Sequence, residues 1–600
     1  MRKSLTAAAA ALAVLATLVG VAAATPNASD TRVTIGSLSS PFAQNKQNEP
    51  AVAVNPADPT IAAAGVNEEI DIEACNNRTD KTCPFTTGVG TSGIYFSDDG
   101  GSSWMQPSYS GWTARDCLGL VGTQPSAPAD NCDPHVGPIG TLPRYFESGL
   151  VSDGDPAVAF GPQRGANGTF SWENGWRLYY ANLTANFSAT RSEQTFKGFE
   201  AAAVSRLDSQ NYARAKAGDN SAWMAPVIVT KQNAALFSDH EMITVDDASS
   251  SPFFGNVYVC DAAFRSQQVS GPEPIVLNSS SDGGNTWRTR QLSQAVNNST
   301  IGGRQDCAVN TDSTGTVYVF WDGADPKTKT LALFMSRSFD GGKTFDRPAR
   351  LVTHIDETGI LDPESGDLTF DGVAGARDGS FPTVDIANGA PDGAGATDQI
   401  LLAWSNGPTP SDTNSGPNEQ VRVMWSRNGG DTWTSAGVAS PATDRPDFPA
   451  IAISPDGSDA YLTYVNFLQP WQSTTADPRL FQGVVRHAEV DRTTGAVGAW
   501  SDIHRGPTGD ARGSSANALT DEFLGDYDYA FATNDFVVAV WNDARNAADC
   551  SAIDAYRQAI VDGTATGDAA DPARPAPQQD CPATFGNTDI FGGSYADPTP

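Results

Sequence analysis

Four stretches of this chain repeat one eight-residue pattern, and that repetition limits the architectures open to it. They are Ser97-Asp98-Asp99-Gly100-Gly101-Ser102-Ser103-Trp104, Ser280-Ser281-Asp282-Gly283-Gly284-Asn285-Thr286-Trp287, Ser338-Phe339-Asp340-Gly341-Gly342-Lys343-Thr344-Phe345 and Ser426-Arg427-Asn428-Gly429-Gly430-Asp431-Thr432-Trp433. An Asp or Asn before Gly-Gly makes a tight hairpin, because the side chain binds nearby backbone N–H groups and glycine accepts positive φ. The closing Trp or Phe then needs an apolar surface. Each copy therefore marks the far end of a small sheet.

Two further strands recur upstream of each box. The openings are Glu49–Val54, Asp155–Phe160, Glu241–Val245, Asp306–Val309, Phe381–Ile386, Phe448–Ile453 and Gly525–Ala530. Second strands follow, such as Asn256–Cys260, Thr316–Trp321, Ile400–Trp404 and Phe536–Trp541, all β-branched and aromatic between turn residues. Worn boxes are visible at 204–227 and 491–500, and the last unit has none. Seven openings at intervals of roughly 65 to 105 residues predict an all-β fold of about seven four-stranded sheets. Such sheets cannot bury both faces alone, so a β-propeller is expected, seven-bladed, with six blades as the alternative. Thr31–Gly36 is available as the strand that closes the ring and removes its open edges.

The first 24 residues carry Arg2 and Lys3, a short apolar run and Ala22-Ala23-Ala24, the pattern of a secretory signal. No later run is apolar for long enough to span a bilayer, so residues 25–600 are read as one exported, monomeric propeller domain. Loop insertions are expected at about 105–150, 183–222 and 546–586. Inside the last, Ser551 is expected to cap a short helix with Ile553, Tyr556 and Ile560 on one face. Lys plus Arg number 38 against 70 Asp plus Glu, a net charge of −32 that argues against nucleic acid and anionic membranes as partners. Eight cysteines in an exported chain favour disulfides, and proximity suggests Cys75–Cys83, Cys117–Cys132, Cys260–Cys307 and Cys550–Cys581.

The four boxes make the chain resemble the sialidase superfamily, whose Asp-box has the frame Ser-x-Asp-x-Gly-x-Thr-Trp, and the resemblance covers nearly the whole chain after the signal. It implies a site on the central axis, on the face where first strands begin and second strands end. That rule gathers Asp155, Asp239, Glu241, Asp306 and Tyr527 as candidate catalytic groups, with Glu49 and Asp526 beside them. It gathers Arg265, Arg304, Arg445 and Arg545 as candidate substrate anchors, and bidentate arginine suits a carboxylate. Converging acids can shift one another's pKa and so furnish the acid and base of glycoside hydrolysis. Against each acid stands the plain reading that it bonds a turn backbone. Against each arginine stands an ion pair with a neighbouring Asp.

The family opens its first blade with Arg-Ile-Pro, whereas this chain has Asn48-Glu49-Pro50. The family's nucleophile is a Tyr activated by a Glu, for which Tyr527 and Glu522 are the candidates. The five histidines lack metal-ligand spacing, so no metal site and no cofactor are expected. Asp153-Gly154-Asp155 and the acidic axis would suit a structural calcium, although no complete loop of oxygen ligands is present. Two function classes follow: an exo-glycosidase acting on extracellular glycans or glycoconjugates, sialidase-like in mechanism, or a non-catalytic propeller binding carbohydrate or protein.

Overall fold

The structure is a computed structural model that describes residues 29–36, 38, 45–74, 86–117, 134–230, 236–266, 271–362, 368–370, 373–407, 419–469, 472–517, 519–568 and 570–599. The signal sequence, the pair Cys75–Cys83 and Cys132 lie outside these residues.

Among the described residues, seven of nine sheets are blades, one for each opening. Blade 1 is Gln47–Val54, Ala62–Glu68 and Ser92–Ser97, with only a bridge from Phe96 to Met105 where a fourth strand would run. Blade 2 is Ala157–Arg164, Phe170–Asn186, Glu200–Asp208 and Val227–Ile228. Blade 3 is Phe237–Val245, Val257–Phe264, Ile275–Ser280 and Arg288–Gln291. Blade 4 is Arg304–Thr311, Val317–Ala324, Leu331–Ser338 and Arg350–His354. Blade 5 is Thr383–Ile386, Ile400–Asn406, Gln420–Ser426 and Thr434–Val438. Blade 6 is Pro446–Ile453, Asp459–Phe467, Leu480–Glu489 and Ser501–Arg505. Blade 7 is Tyr529–Ala532, Phe536–Asp543 and Asp589–Ala596, completed by Thr31–Arg32 paired to Gly592 and Phe591.

The first strand of every blade touches the first strand of the next, and that of blade 7 touches blade 1, so the ring is closed. This is a seven-bladed β-propeller, and the six-bladed alternative is excluded. The N-terminal strand closes it as expected.

The core lies between blades rather than at one centre. Tyr179, Val204, Val245 and Val259 form one cluster between blades 2 and 3, and Trp287 packs against it. Phe345 and Trp433 do the same for the next two interfaces, and Trp104 for the interface of blades 7 and 1. The boxes explain why. In each, the Ser Oγ accepts the N–H of the second glycine at 2.9 Å. The Asp or Asn side chain accepts the N–H four residues on at 2.8–3.0 Å. The turn is thereby locked, and its second glycine lies against the preceding blade: Gly101 on Val538, Gly284 on Arg206 and Tyr179, Gly342 on Tyr258, Gly430 on Met335.

Two disulfides are present among the described residues, Cys260–Cys307 and Cys550–Cys581. The first ties blade 3 to the opening of blade 4 across 47 residues, a constraint of about 4 kcal/mol in the chain-entropy account. Two expectations change in detail. Cys550, not Ser551, occupies the N-cap of the helix Ser551–Val561, and no side chain caps it. The expected excursion 183–222 is interrupted by blade: Phe170–Asn186 runs into its start and Glu200–Asp208 lies within it, and the segments between and after them leave the sheet.

Candidate functional site

One residue at the start of each first strand, or just before it, lines the axis at the same repeat position: Glu49, Asp155, His240, Asp306, Phe381, Phe448 and Tyr527. Four first strands are bulged at this point, between Asn48 and Ala51, Asp239 and Met242, Gln305 and Ala308, and Asp447 and Ala450. Five of the seven residues take left-handed backbone, Glu49 at φ 52°, Asp155 at 48°, His240 at 47°, Asp306 at 54° and Phe448 at 52°. Such conformations cost free energy for a non-glycine residue. A bulge re-aims the side chain it carries, here toward the axis. Acids occupy one arc of the ring and aromatics the other.

The ring separates two cavities. Below it runs a channel of about 160 Å³, walled by apolar first-strand residues such as Val52, Val158, Val309 and Ile451. Above it opens a mouth of about 660 Å³, within the size range of small-ligand sites. The mouth lies on the face where first strands begin and second strands end. Its carboxylates are Glu49, Glu69, Asp153, Asp155, Asp239, Asp306, Asp322, Glu357, Asp378 and Asp526, set against the cationic Lys46 and Arg377 and against His240.

These charges interact strongly. Burial, then the charges of Asp155 and Asp526, hold Glu49 well above the usual carboxylate range. Asn67 bridges the pair: its amide donates to Glu49 Oε2, and its Oδ1 accepts the Asp155 N–H at 2.8 Å. Burial and the charge of Asp155 push Asp239 up to about 7, and Gln305 Nε2 donates to its Oδ2 at 2.6 Å. Burial alone would lower His240. Its contact with Asp306 through Nδ1 outweighs that, with help from Asp155 and Asp239, and raises it to about 9. The imidazole also stacks on Tyr527, with centroids 4.9 Å apart and planes at 19°.

Asp155, Asp239, Asp306 and Tyr527 thus meet at the mouth. Glu241 does not line it. This carboxylate is 2% exposed behind the ring, near Asp155, Asp261 and Glu200, with no hydrogen-bond partner for either oxygen, and burial raises its pKa sharply. The four expected arginines are elsewhere. Arg265 is exposed and donates to Gln291 at 3.0 Å. Arg304 is bound by the carbonyls of Glu273 and Val296, its own N–H donating to the Glu273 carboxylate at 3.1 Å. Arg445 is set back from the mouth, near Glu419. Arg545 pairs with Asp543 at 2.6 Å and Asp30 at 2.8 Å and covers the Phe591 ring.

Glu522 is also spoken for, by Arg479 at 3.1 Å. Tyr527 therefore has no activating Glu522 beside it, and burial with the charges of Asp155 and Glu49 keeps its phenol protonated. Arg377, paired with Asp526 at 2.8 Å, and Lys46, donating to Asn517 at 2.5 Å, are the mouth cations that sequence reasoning missed. Both sit outside the repeat. Phe381 and Phe448 had a legible signal, the residue-before-proline position shared with Glu49 and Asp155. For a metal, one group among the described residues has ligand atoms close enough together, Asp459, His487 and Asp597, and it lies on the opposite face.

No protein-family model matches the sequence, and no curated protein does. Solved structures it resembles include sialidases, an arabinanase and an arabinofuranosidase. A Hadza microbial sialidase aligns with TM-score 0.37 and 12% identity over 67% of this chain and 65% of that one. The α-L-arabinofuranosidase of Fusarium graminearum with arabinobiose gives 0.35 and 11% over 75% and 94%. Trypanosoma rangeli sialidase in complex with the inhibitor DANA gives 0.36 and 11% over 73% and 57%. The chain spans less than two thirds of the length of both sialidases.

Proposed function

We propose that this protein is a secreted glycoside hydrolase whose axial mouth cleaves extracellular glycans with neutral sugars. The carrying observation is the set of perturbed acids at the mouth: Glu49 held well above the usual carboxylate range beside Asp155, and Asp239 brought to about 7. Glycoside hydrolysis needs one carboxyl that donates a proton and one carboxylate that activates water or attacks carbon. Glu49 is the donor in this reading, with Asp155 as the group that holds its proton, and Asp239 serves as the second carboxyl. Asn67, Gln305, Lys46 and Arg377 offer hydrogen bonds to sugar hydroxyls. Phe381 and Tyr527, both in ring contact with His240, offer an aromatic platform for a ring face. The two disulfides support an oxidising compartment, and no helix among the described residues is long and apolar enough to cross a membrane.

The acidic mouth disfavours sialic acid, since its carboxylate would enter among like charges with Arg377 as the one arginine there. A panel of 4-methylumbelliferyl pyranosides, furanosides and the sialoside tests this. Turnover of a neutral glycoside and none of the sialoside is expected. Asp155→Asn and Asp239→Asn should each lower the rate by about 10²–10⁴ with folding unchanged by circular dichroism. Silence across the panel with glycan-array binding retained would instead establish the non-catalytic binding propeller.

A further inference from the structure

The fold assembles a metal-ligand set that is scattered in the sequence. Asp459 opens the second strand of blade 6, His487 lies near the end of its third, and Asp597 follows the last strand of blade 7. They are 4, 3 and 7% exposed, on the face opposite the mouth. One ligand atom from each lies within 4.8 Å of the others. His487 Nε2 is 2.8 Å from Asp459 Oδ1 and 3.7 Å from Asp597 Oδ1. A single N–H of the imidazole serves Asp459 and leaves Asp597 beyond its reach, so Asp597 Oδ1 takes its hydrogen bond from the Thr599 N–H at 2.8 Å. The two separations straddle the edge of about 3.4 Å that a tetrahedral zinc site with bonds of about 2.0–2.1 Å would have.

A second observation points to the same place. Tyr461 is fully buried and its hydroxyl has no hydrogen-bond partner. Its ring packs against His487 with centroids 5.2 Å apart, and the charges felt by the hydroxyl are first those of Asp459 and Asp597. An orphaned buried hydroxyl is costly, and a cation between the two carboxylates would supply its oxygen with a partner.

We propose that Asp459, His487 and Asp597 hold a divalent transition-metal ion of the zinc class, with the Tyr461 oxygen or a water as the fourth ligand. Three protein donors of mixed N and O type suit zinc, whereas calcium takes six to eight oxygens. The ion would fasten blade 6 to the last strand of blade 7, where the ring closes, and so lock the propeller at its seam.

The test uses the full chain stripped by a chelator and reloaded with cobalt(II), which reports tetrahedral N/O ligation by visible d–d absorption. About one cobalt per chain is expected, displaced by zinc but not by calcium, with a higher melting temperature in the loaded protein. Asp597→Asn, at the chain's end, should lose the absorption and the bound metal while folding normally, and His487→Gln should do the same. Absence of stoichiometric cobalt in the wild type, or equal binding in Asp597→Asn, overturns the site and leaves a His–Asp ion pair.

Discussion

His240 is the residue on which the mouth's electrostatics turn, because it is a cation in direct contact with Asp306 and near Asp155 and Asp239. Its pKa of about 9 in the fold exceeds the ordinary value of 6.5, so its stabilising effect is complete below 6.5 and fades as pH rises through 9. That difference bounds the effect at about 3 kcal/mol. His240→Gln should therefore destabilise the protein most at pH 6 and least at pH 10, read from urea midpoints across that range. A gap that stays constant with pH would mean the imidazole acts by packing on Tyr527 alone. Part of this residue's place is legible in sequence, where it lies between Asp239 and Glu241 at a strand opening. Its bond to Asp306 was not, because that pairing joins residues 66 apart that only adjacent blades bring together.

At the scale of the element, the box turn is a local device with a non-local duty. Hydrogen bonds within eight residues shape it, so all four copies were readable. Its second glycine adds a contact that no local pattern reveals. A Cβ on Gly101 would lie 2.9 Å from Val538 Cγ1 of blade 7, at φ 87°. Gly437 has similar φ, 85°, with nothing within 4 Å of a Cβ. Both alanine variants pay for the backbone, but Gly101→Ala also presses on a stiff β-branched side chain. Gly437→Ala should cost about 1 kcal/mol and Gly101→Ala a further 1–3 kcal/mol in chemical unfolding. Equal losses would show that the box glycines serve their own turn and not the packing of blades.

The whole molecule carries its acids against the preference of a folded chain at neutral pH. Burial lifts Glu68, Asp71, Asp239, Asp261 and Asp385 to about 7 and Asp246 to about 8. Each holds a proton in the fold that the unfolded chain, with carboxyls near 4, would release. Between about pH 4 and 8 the folded state thus binds more protons, and stability falls as pH rises through that window. Relief of a net charge of −32 acts in the same direction. The melting temperature should be higher at pH 5.5 than at pH 8 by scanning calorimetry. A flat or opposite profile would mean that water reaches these carboxyls.

What the sequence determined by itself is the repeating unit: turns made by Asp, Gly-Gly and Thr, apolar strands between them, and a terminal strand spare enough to close a ring. Those depend on contacts within a few residues, which a linear pattern records. Tertiary structure alone decided which charges meet. Left-handed backbone aims Glu49, Asp155 and Asp306 at one axis, while Arg304 and Arg545 are drawn into ion pairs and carbonyl contacts away from it. Coulomb energy and desolvation depend on distance through space, and neighbouring blades set that distance without leaving a trace in sequence spacing.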